Sequence, residues 1–403
     1  MSIIVFPKEL TLGEKRCALL PATVKSYRLL GAEIYIQAGL GEQIHVQDEE
    51  YIAAGASVIS SRAELLQKAD VVLSIHKLPE PDLALLNNKL VVSFLDAFIE
   101  QDYVYSLVKN HVSSISMEMI PRSSRCQKMD ALSSQASLAG YAMVIKAIGE
   151  LDTILPMMMT AAGTIKPAKV FIIGAGVAGL QAIATAKRLG ANVTAFDTRA
   201  VVAEQVQSLG GKFLEIDLGA TKQNDQGYAQ ALTPEQLERQ QQAQAICIAQ
   251  SDIVITTAQL FGRKPPVLIN KDVISQMKSG SVIVDMAAES GGNVEGSIAG
   301  ETVKVNGVSV IGTGNWANEV ALNASQMYAN NVLNLVSEFW CKDTNNFLIA
   351  ADDDILQSAI ITHKGYVTNE AIKAHRTKQS LPVNVTPSTE VASIELQPAV
   401  KES

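Results

Sequence analysis

The stretch KVFIIGAGVAGLQAIATAKRLGANVTAFDTR, residues 169–199, decides the fold. Residues 170–173 are a short apolar run of the kind that a strand buried on both faces requires. Gly174, Gly176 and Gly179 follow it directly as GxGxxG. In this setting Gly174 makes a tight turn, Gly176 lets backbone approach a pyrophosphate, and Gly179 lets the next helix pack closely on the strand. The N-terminus of that helix offers free N–H groups and the positive end of its dipole to an anion. Gly190 is its stop signal. A second strand, residues 192–196, ends at Asp197, 18 residues beyond Gly179. That is close to the roughly 20-residue separation at which a carboxylate meets ribose hydroxyls. The unit reads as a βαβ dinucleotide site; the bland alternative is a doubly wound sheet with no nucleotide. Arg199 can accept a 2′-phosphate, but Asp197 repels one, so NAD is favoured over NADP.

At 403 residues the chain exceeds what one core fills, and two domains are expected. A net charge of −8 argues against nucleic-acid binding, which rests on clustered Lys and Arg. No apolar run reaches the roughly 18 residues needed to span a bilayer, and MSIIVFPKEL lacks the basic and apolar regions of a signal peptide. A cytoplasmic protein without direct membrane insertion is expected. Cys17, Cys126, Cys247 and Cys341 show no CxxC or CxxH spacing, which fits reduced thiols, and no metal site is expected.

Before residue 130, apolar runs at 3–6, 33–37, 71–75 and 90–95 alternate with amphipathic segments such as 22–30, as in an α/β domain with a largely parallel sheet. Lys15, Arg16 and His76 are its most suggestive polar residues. Residues 121–130 are polar and turn-rich, and a long helix starts at Ala131. This segment reads either as a linker ending in an N-cap or as a functional loop, since Arg122, Arg125, Gln127 and Asp130 crowd it at a probable interdomain cleft. Strands at 212–216, 252–256, 281–285 and 308–311 continue the second sheet, with small or polar residues after their ends, where open α/β sheets bind ligands. The long polar stretch after residue 216 reads as a lid or as Gln-rich low complexity. A helix follows at 319–340.

The reading is therefore α/β, two Rossmann-like domains with mostly parallel sheets separated by a cleft. Residues 1–130, completed by 319–375, form the N-terminal domain; 131–318 form the NAD-binding domain; 376–403, rich in Ser, Thr and Pro, form a disordered tail or linker.

Three stretches carry a closer resemblance: PRSSRCQKMDALSSQASLAGY, PMMMTAAGTIKPAKVFIIGAGVAGLQAIATAKRLGA and EQVQSLGGKF. With them the chain, over essentially residues 1–375, resembles the NAD(H)-binding component of proton-translocating nicotinamide nucleotide transhydrogenases, a family related to alanine dehydrogenase. The resemblance implies that Arg122, Gln127, Asp130 and Ser133, with Ser123 and Ser124 flanking the arginine, hold the nicotinamide end. Arg122 would clamp the pyrophosphate, Asp130 and Ser133 would orient the carboxamide, and Gln127 would bridge toward a second nucleotide. It also implies that Val177, Ala178, Asp197, Thr198, Arg199, Ala258 and Gln259 surround the adenosine half, and that Gly227 and Tyr228 belong to a mobile loop followed by Gln240 on the next helix. NADP(H) would be held on a partner subunit, beside membrane-spanning components on the inner face of a membrane, and the chain would form a homodimer. One departure stands at residues 315–319, where the family's Asn-x-Pro-Ser-Arg reads Asn-Trp-Ala-Asn-Glu and puts contacts at the domain junction in doubt.

A self-contained dehydrogenase of the alanine dehydrogenase kind would use a Lys and a His on its keto acid. Here VVLSIHKLPEPD and VVSFLDAF place Ser74 and Asp96 near those positions. A non-catalytic NAD-binding regulatory module is the third reading.

Overall fold

A computed structural model describes residues 2–217, 233–259, 264–350 and 352–380. Gly227 and Tyr228, and with them the expected lid, lie outside the described residues.

The first sheet is built from β1 (Ile3–Phe6), β2 (Glu33–Gln37), β3 (Ser57–Ile59), β4 (Val71–Leu73), β5 (Leu90–Ser93) and β6 (Ser113–Ser116). A hairpin, β7 (Met158–Thr160) and β8 (Gly163–Ile165), follows. The second sheet contains β9 (Lys169–Ile173), β10 (Asn192–Phe196), β11 (Lys212–Phe213), β12 (Ile253–Thr256), β13 (Val282–Asp285), β14 (Thr302–Val305) and β15 (Val308–Ile311). After a second small hairpin, β16 (Trp340–Cys341) and β17 (Asn346–Phe347), the chain returns to the first sheet as β18 (Ile360–His363) and β19 (Tyr366–Val367).

The strand orders are β3-β2-β1-β4-β5-β6-β18-β19 and β11-β10-β9-β12-β13-β15-β14. Both begin with the doubly wound order in which the chain moves outward for three strands, then returns to pair on the other side of the first. Among the described residues, β14, β18 and β19 pair antiparallel in these sheets and the rest pair parallel. The α/β reading with mostly parallel sheets therefore holds. In β9 the alternation of the pleat sends Val170 and Ile172 to one core and Phe171 and Ile173 to the other. In β1 it likewise separates Ile4 and Phe6 from Val5. Helices cover both faces, as the uninterrupted apolar strands require.

Several elements differ from the sequence expectation at their ends. The strand expected over 212–216 stops at Phe213. The helix expected over 319–340 opens as a 3₁₀ turn, Trp316–Val320, and continues as Ala321–Glu338. Helix Glu370–Ser380 runs into the stretch read as tail, started by Asn369, whose Oδ1 accepts from the N–H of the buried Ile372 at 3.1 Å.

Helices Ala131–Glu150 and Ala321–Glu338 connect the domains and pack on one another. The first also packs on Val177–Arg188, the helix after the glycine turn. Gly140 permits this approach, since a Cβ there would lie 2.2 Å from the Ala178 carbonyl oxygen.

Candidate functional site

The glycine turn sits between β9 and β12, the point at which the second sheet's strand order reverses and where open α/β sheets bind their ligands. Gly174 has φ +103°, and a Cβ on it would meet Thr257 Oγ1 at 2.3 Å. A Cβ on Gly179 would stand 1.9 Å from the Gly174 carbonyl oxygen, whereas one on Gly176 would meet nothing within 4 Å. Two glycines are thus required by packing, and the third leaves open space before the helix N-terminus. Val177 opens the helix half exposed, and Ala178 is buried behind it. Thr257, after β12, donates through Oγ1 to the carbonyls of Ile173 and Gly174, both at 3.2 Å, and so pins the turn. Sequence reasoning missed this residue.

Asp197 stands at the end of β10. Its Oδ2 accepts from the Ala175 N–H at 2.8 Å, and its Oδ1 accepts from the Arg199 N–H at 2.9 Å and Nε at 3.0 Å. Burial opposes ionisation, but the bonds from Arg199 and Ala175 outweigh it and hold the carboxyl below the ordinary value. Arg199 therefore closes on Asp197 instead of standing apart as a 2′-phosphate receptor; Thr198, between them, is exposed. Gln259 donates to the Met286 carbonyl at 3.2 Å, and the Ala258 carbonyl accepts from Asn293 Nδ2 at 3.0 Å. Asp285, at the end of β13 and fully buried, orders this rim by accepting from the N–H groups of Ala287, Asn293 and Val294. Gln240 is half-buried on the Pro234–Ala249 helix.

Asp130 caps the Ala131–Glu150 helix: Oδ1 accepts from the Ser133 N–H at 2.8 Å and Oδ2 from the Ser133 Oγ at 2.6 Å. The N-cap reading of this segment is thus correct, and the two residues expected at the nicotinamide end already engage one another. Ser123 Oγ donates to Cys126 Sγ at 3.1 Å, while Arg122, Ser124 and Gln127 are exposed. Because Gly140 touches Ala178, ten residues of helix at about 1.5 Å each set this loop about 15 Å from the glycine turn.

The carboxyl ends of the two sheets meet at a buried polar junction that sequence reasoning only touched. Arg16 donates through Nε and Nη2 to Glu14 at 2.8 and 2.7 Å, and through Nη1 to Gln135 Oε1 at 2.8 Å. His76 Nε2 stands 2.7 Å from Glu14 Oε2, which also accepts from Asn315 Nδ2 at 3.1 Å. Asn318 Oδ1 accepts from the Lys15 N–H at 2.8 Å, and its Nδ2 donates to the Gly13 carbonyl at 2.9 Å. The departure at 315–319 thus makes contacts of its own across the junction. Ser74 Oγ donates to the His76 carbonyl at 2.9 Å, and burial pushes the Asp96 carboxyl up. No Lys or His stands at these two positions to handle a keto acid.

Residues 5–139 match the N-terminal domain, and residues 143–370 the C-terminal domain, of the alanine dehydrogenase/PNT family. The chain belongs to this family. It is 41% identical over 377 residues to the first portion of the NAD(P) transhydrogenase subunit alpha of Rhodospirillum rubrum, covering 92% of this chain and 98% of that one. A transhydrogenase structure from Sinorhizobium meliloti superposes with TM-score 0.79 at 37% identity, covering 92% of this chain and 99% of that one. An L-alanine dehydrogenase structure shares the fold, with TM-score 0.78 at 24% identity over 93% of this chain and 99% of that one. Among the described residues no helix is long and apolar enough to cross a membrane, and no group of three or more His, Cys, Asp or Glu is placed to hold a metal ion.

The junction makes a testable demand. Burial raises the Glu14 carboxyl, but the bonds from Arg16 and His76 outweigh it and hold it far below the usual range. A lowered folded value stabilises the protein fully above the unfolded value, about 4.3, and less as pH falls below it. Glu14→Gln leaves Arg16 buried without its carboxylate and is expected to cost about 3–5 kcal/mol at neutral pH. Urea unfolding at pH 7 and pH 3 checks this: the gap to the parent should narrow at pH 3, and an equal gap at both would show that the pair is not ionic.

Proposed function

We propose that the chain is the NAD(H)-binding component of a proton-translocating NAD(P) transhydrogenase. It would hold NAD(H) for direct hydride exchange with NADP(H) bound on a partner subunit, coupled to proton movement through membrane-spanning partners, which would keep it on the inner face of a membrane. The observation that carries this reading is the open space at Gly176 before a helix N-terminus at the sheet's reversal point, in a turn closed by the contact of Gly179 with the Gly174 carbonyl. The residues fit a dinucleotide: the turn 174–179 faces the phosphates, Asp197 the adenosine ribose, and the 121–133 loop the nicotinamide. NAD(H) supplies the hydride chemistry when bound. The protein's residues bind and orient it. Arg122 and Gln127 are exposed and long enough to reach a ligand, and Asp130 with Ser133 fixes the base of their loop.

The Rhodospirillum rubrum relative is named as a portion of a subunit alpha, which supports partner subunits for this chain. A self-contained amino-acid dehydrogenase is disfavoured by Ser74 and Asp96. A regulatory module remains the alternative class, which hydride transfer separates. The β7–β8 hairpin exposes Met158, Met159 and Ile165, beside the exposed Met157 that precedes it, an apolar surface that supports a homodimer.

Three measurements test this reading. NADH should bind better than NADPH, and Asp197→Asn should narrow the preference; equal affinities in the unmodified chain would sink the assignment. With the NADP-binding partner added, Gln127→Asn should leave NADH affinity nearly intact while slowing hydride transfer at least tenfold, since misplacement by about 1 Å costs about 100-fold; an unchanged rate removes Gln127 from the mechanism. Light scattering should give the mass of two chains, reduced to one by Met159→Asp, and a single-chain mass for the parent would end the dimer proposal.

A further inference from the structure

Arg125 makes a long-range connection to which the proposed function gives no role. Its Nε donates to Glu338 Oε1 at 2.9 Å, and Nη2 lies 2.8 Å from the same oxygen. Nη1 donates to Asp353 Oδ2 at 2.7 Å and to Asp354 Oδ1 at 3.3 Å. The guanidinium also lies 5.8 Å from the centroid of the Phe339 ring. Glu338 ends the Ala321–Glu338 helix, and Asp353 caps Asp354–Ala359, accepting from the Ile355 N–H at 2.9 Å. One side chain thus joins the 121–130 loop, the end of an interdomain helix and the segment returning to the first sheet.

The loop has little regular structure beyond the 3₁₀ turn Ser124–Cys126. Its later half is fastened independently: Cys126 and Met129 are buried in the first core, and the Lys128 carbonyl accepts from Asn331 Nδ2 at 2.9 Å. Bonds from Ser123 N–H to the Pro121 carbonyl and from Cys126 N–H to the Ser123 carbonyl stay within the loop. The earlier half is tied to the rest of the protein through Arg125. A guanidinium fork can serve two carboxylate groups in different directions, which a lysine ammonium on its flexible stem does not reproduce.

We propose that Arg125 is a positioning residue for hydride transfer: by bridging Glu338 to Asp353 and Asp354 it fixes the earlier half of the loop, which carries Arg122 and leads into Gln127. The proposal rests on the transhydrogenase reading. Exposed ion pairs add little to global stability, so the effect of the clamp is geometric.

The test uses the full chain with a saturating NADP-binding transhydrogenase partner. Parent, Arg125→Ala, Arg125→Lys and Glu338→Gln are compared for NADH affinity, partner affinity, thermal midpoint and single-turnover transfer rate. Arg125→Ala and Arg125→Lys should each slow transfer about tenfold or more, on the scale of misplacement effects, with both affinities within about twofold and the midpoint nearly unchanged; Glu338→Gln should give a smaller loss in the same sense. A parent-like rate in Arg125→Ala overturns the positioning role and leaves the transhydrogenase reading intact. So does full rescue by lysine, which would assign the effect to charge, or a proportional fall of NADH affinity and rate, which would mark a general structural defect. A parent chain that transfers no hydride with its partner present overturns the reading and the proposal together.

Discussion

The second domain depends on one contact, between the Gly174 carbonyl and the α-carbon of Gly179, too close for any side chain to intervene. It brings the helix after the turn down onto β9, so that the first N–H groups of the helix open at the sheet's reversal point and not beyond it. The same helix then presents the Ala178 carbonyl to Gly140, again with no space for a Cβ. Through these two approaches the loop at residues 121–130, at the far end of the Gly140 helix, is held at a set distance from the phosphate-facing turn. This stack of glycines spaces the two segments that the proposed function assigns to the two ends of a dinucleotide.

The two sheets share an order but differ at their crevices. At the end of β10, Asp197 accepts from the N–H of Ala175, just past the glycine turn, at 2.8 Å. At the matching place in the first sheet, the end of β2, Gln37 accepts from the Lys8 N–H at 2.9 Å. Beyond that the likeness stops. After β1 the chain carries Pro7 and Glu9 in place of Gly174 and Gly176, and Glu9 takes the N–H groups of Ile75 and His76 at 2.6 and 3.2 Å. The first sheet's crevice is a cavity of about 290 Å³ lined by charged side chains, Lys8, Glu9, Arg62 and His76 among them, where the second sheet has its glycine turn. One topology thus yields a crevice bordered by a glycine turn in one domain and a crevice lined by charged side chains in the other.

What the sequence made legible follows from the range of each signal. The strand, the glycines, the helix and Asp197 lie within 31 consecutive residues, and their spacing reflects local geometry, so the crevice could be read directly. Strand interiors were equally clear because burial on both faces demands continuous apolar runs. Strand and helix ends were not: β11 stops at Phe213 and the Ala321–Glu338 helix is preceded by a 3₁₀ turn, since terminal residues answer to their neighbours in space. The junction was hidden for the same reason. Asn315 lies 301 residues from Glu14, and Arg125 lies 213 residues from Glu338, so no local pattern announces either pair.

The junction also shows why an unfamiliar sequence at 315–319 need not disturb the crevice. Asn318 uses its amide in both directions, accepting from one backbone N–H and donating to one carbonyl of the 13–15 segment, and a side-chain amide is well suited to that pairing. Asn315 meanwhile supplies Glu14 with a neutral donor beside the charged Arg16. A buried ionic pair stabilises little unless its remaining lone pairs are satisfied, and here Asn315, His76 and the Arg16 backbone N–H complete the set. Because these partners come from both domains, the carboxylate is fully satisfied only when the two segments meet in this one arrangement. The cost of burying Glu14 and Arg16 thereby becomes a preference for one relative placement of the domains.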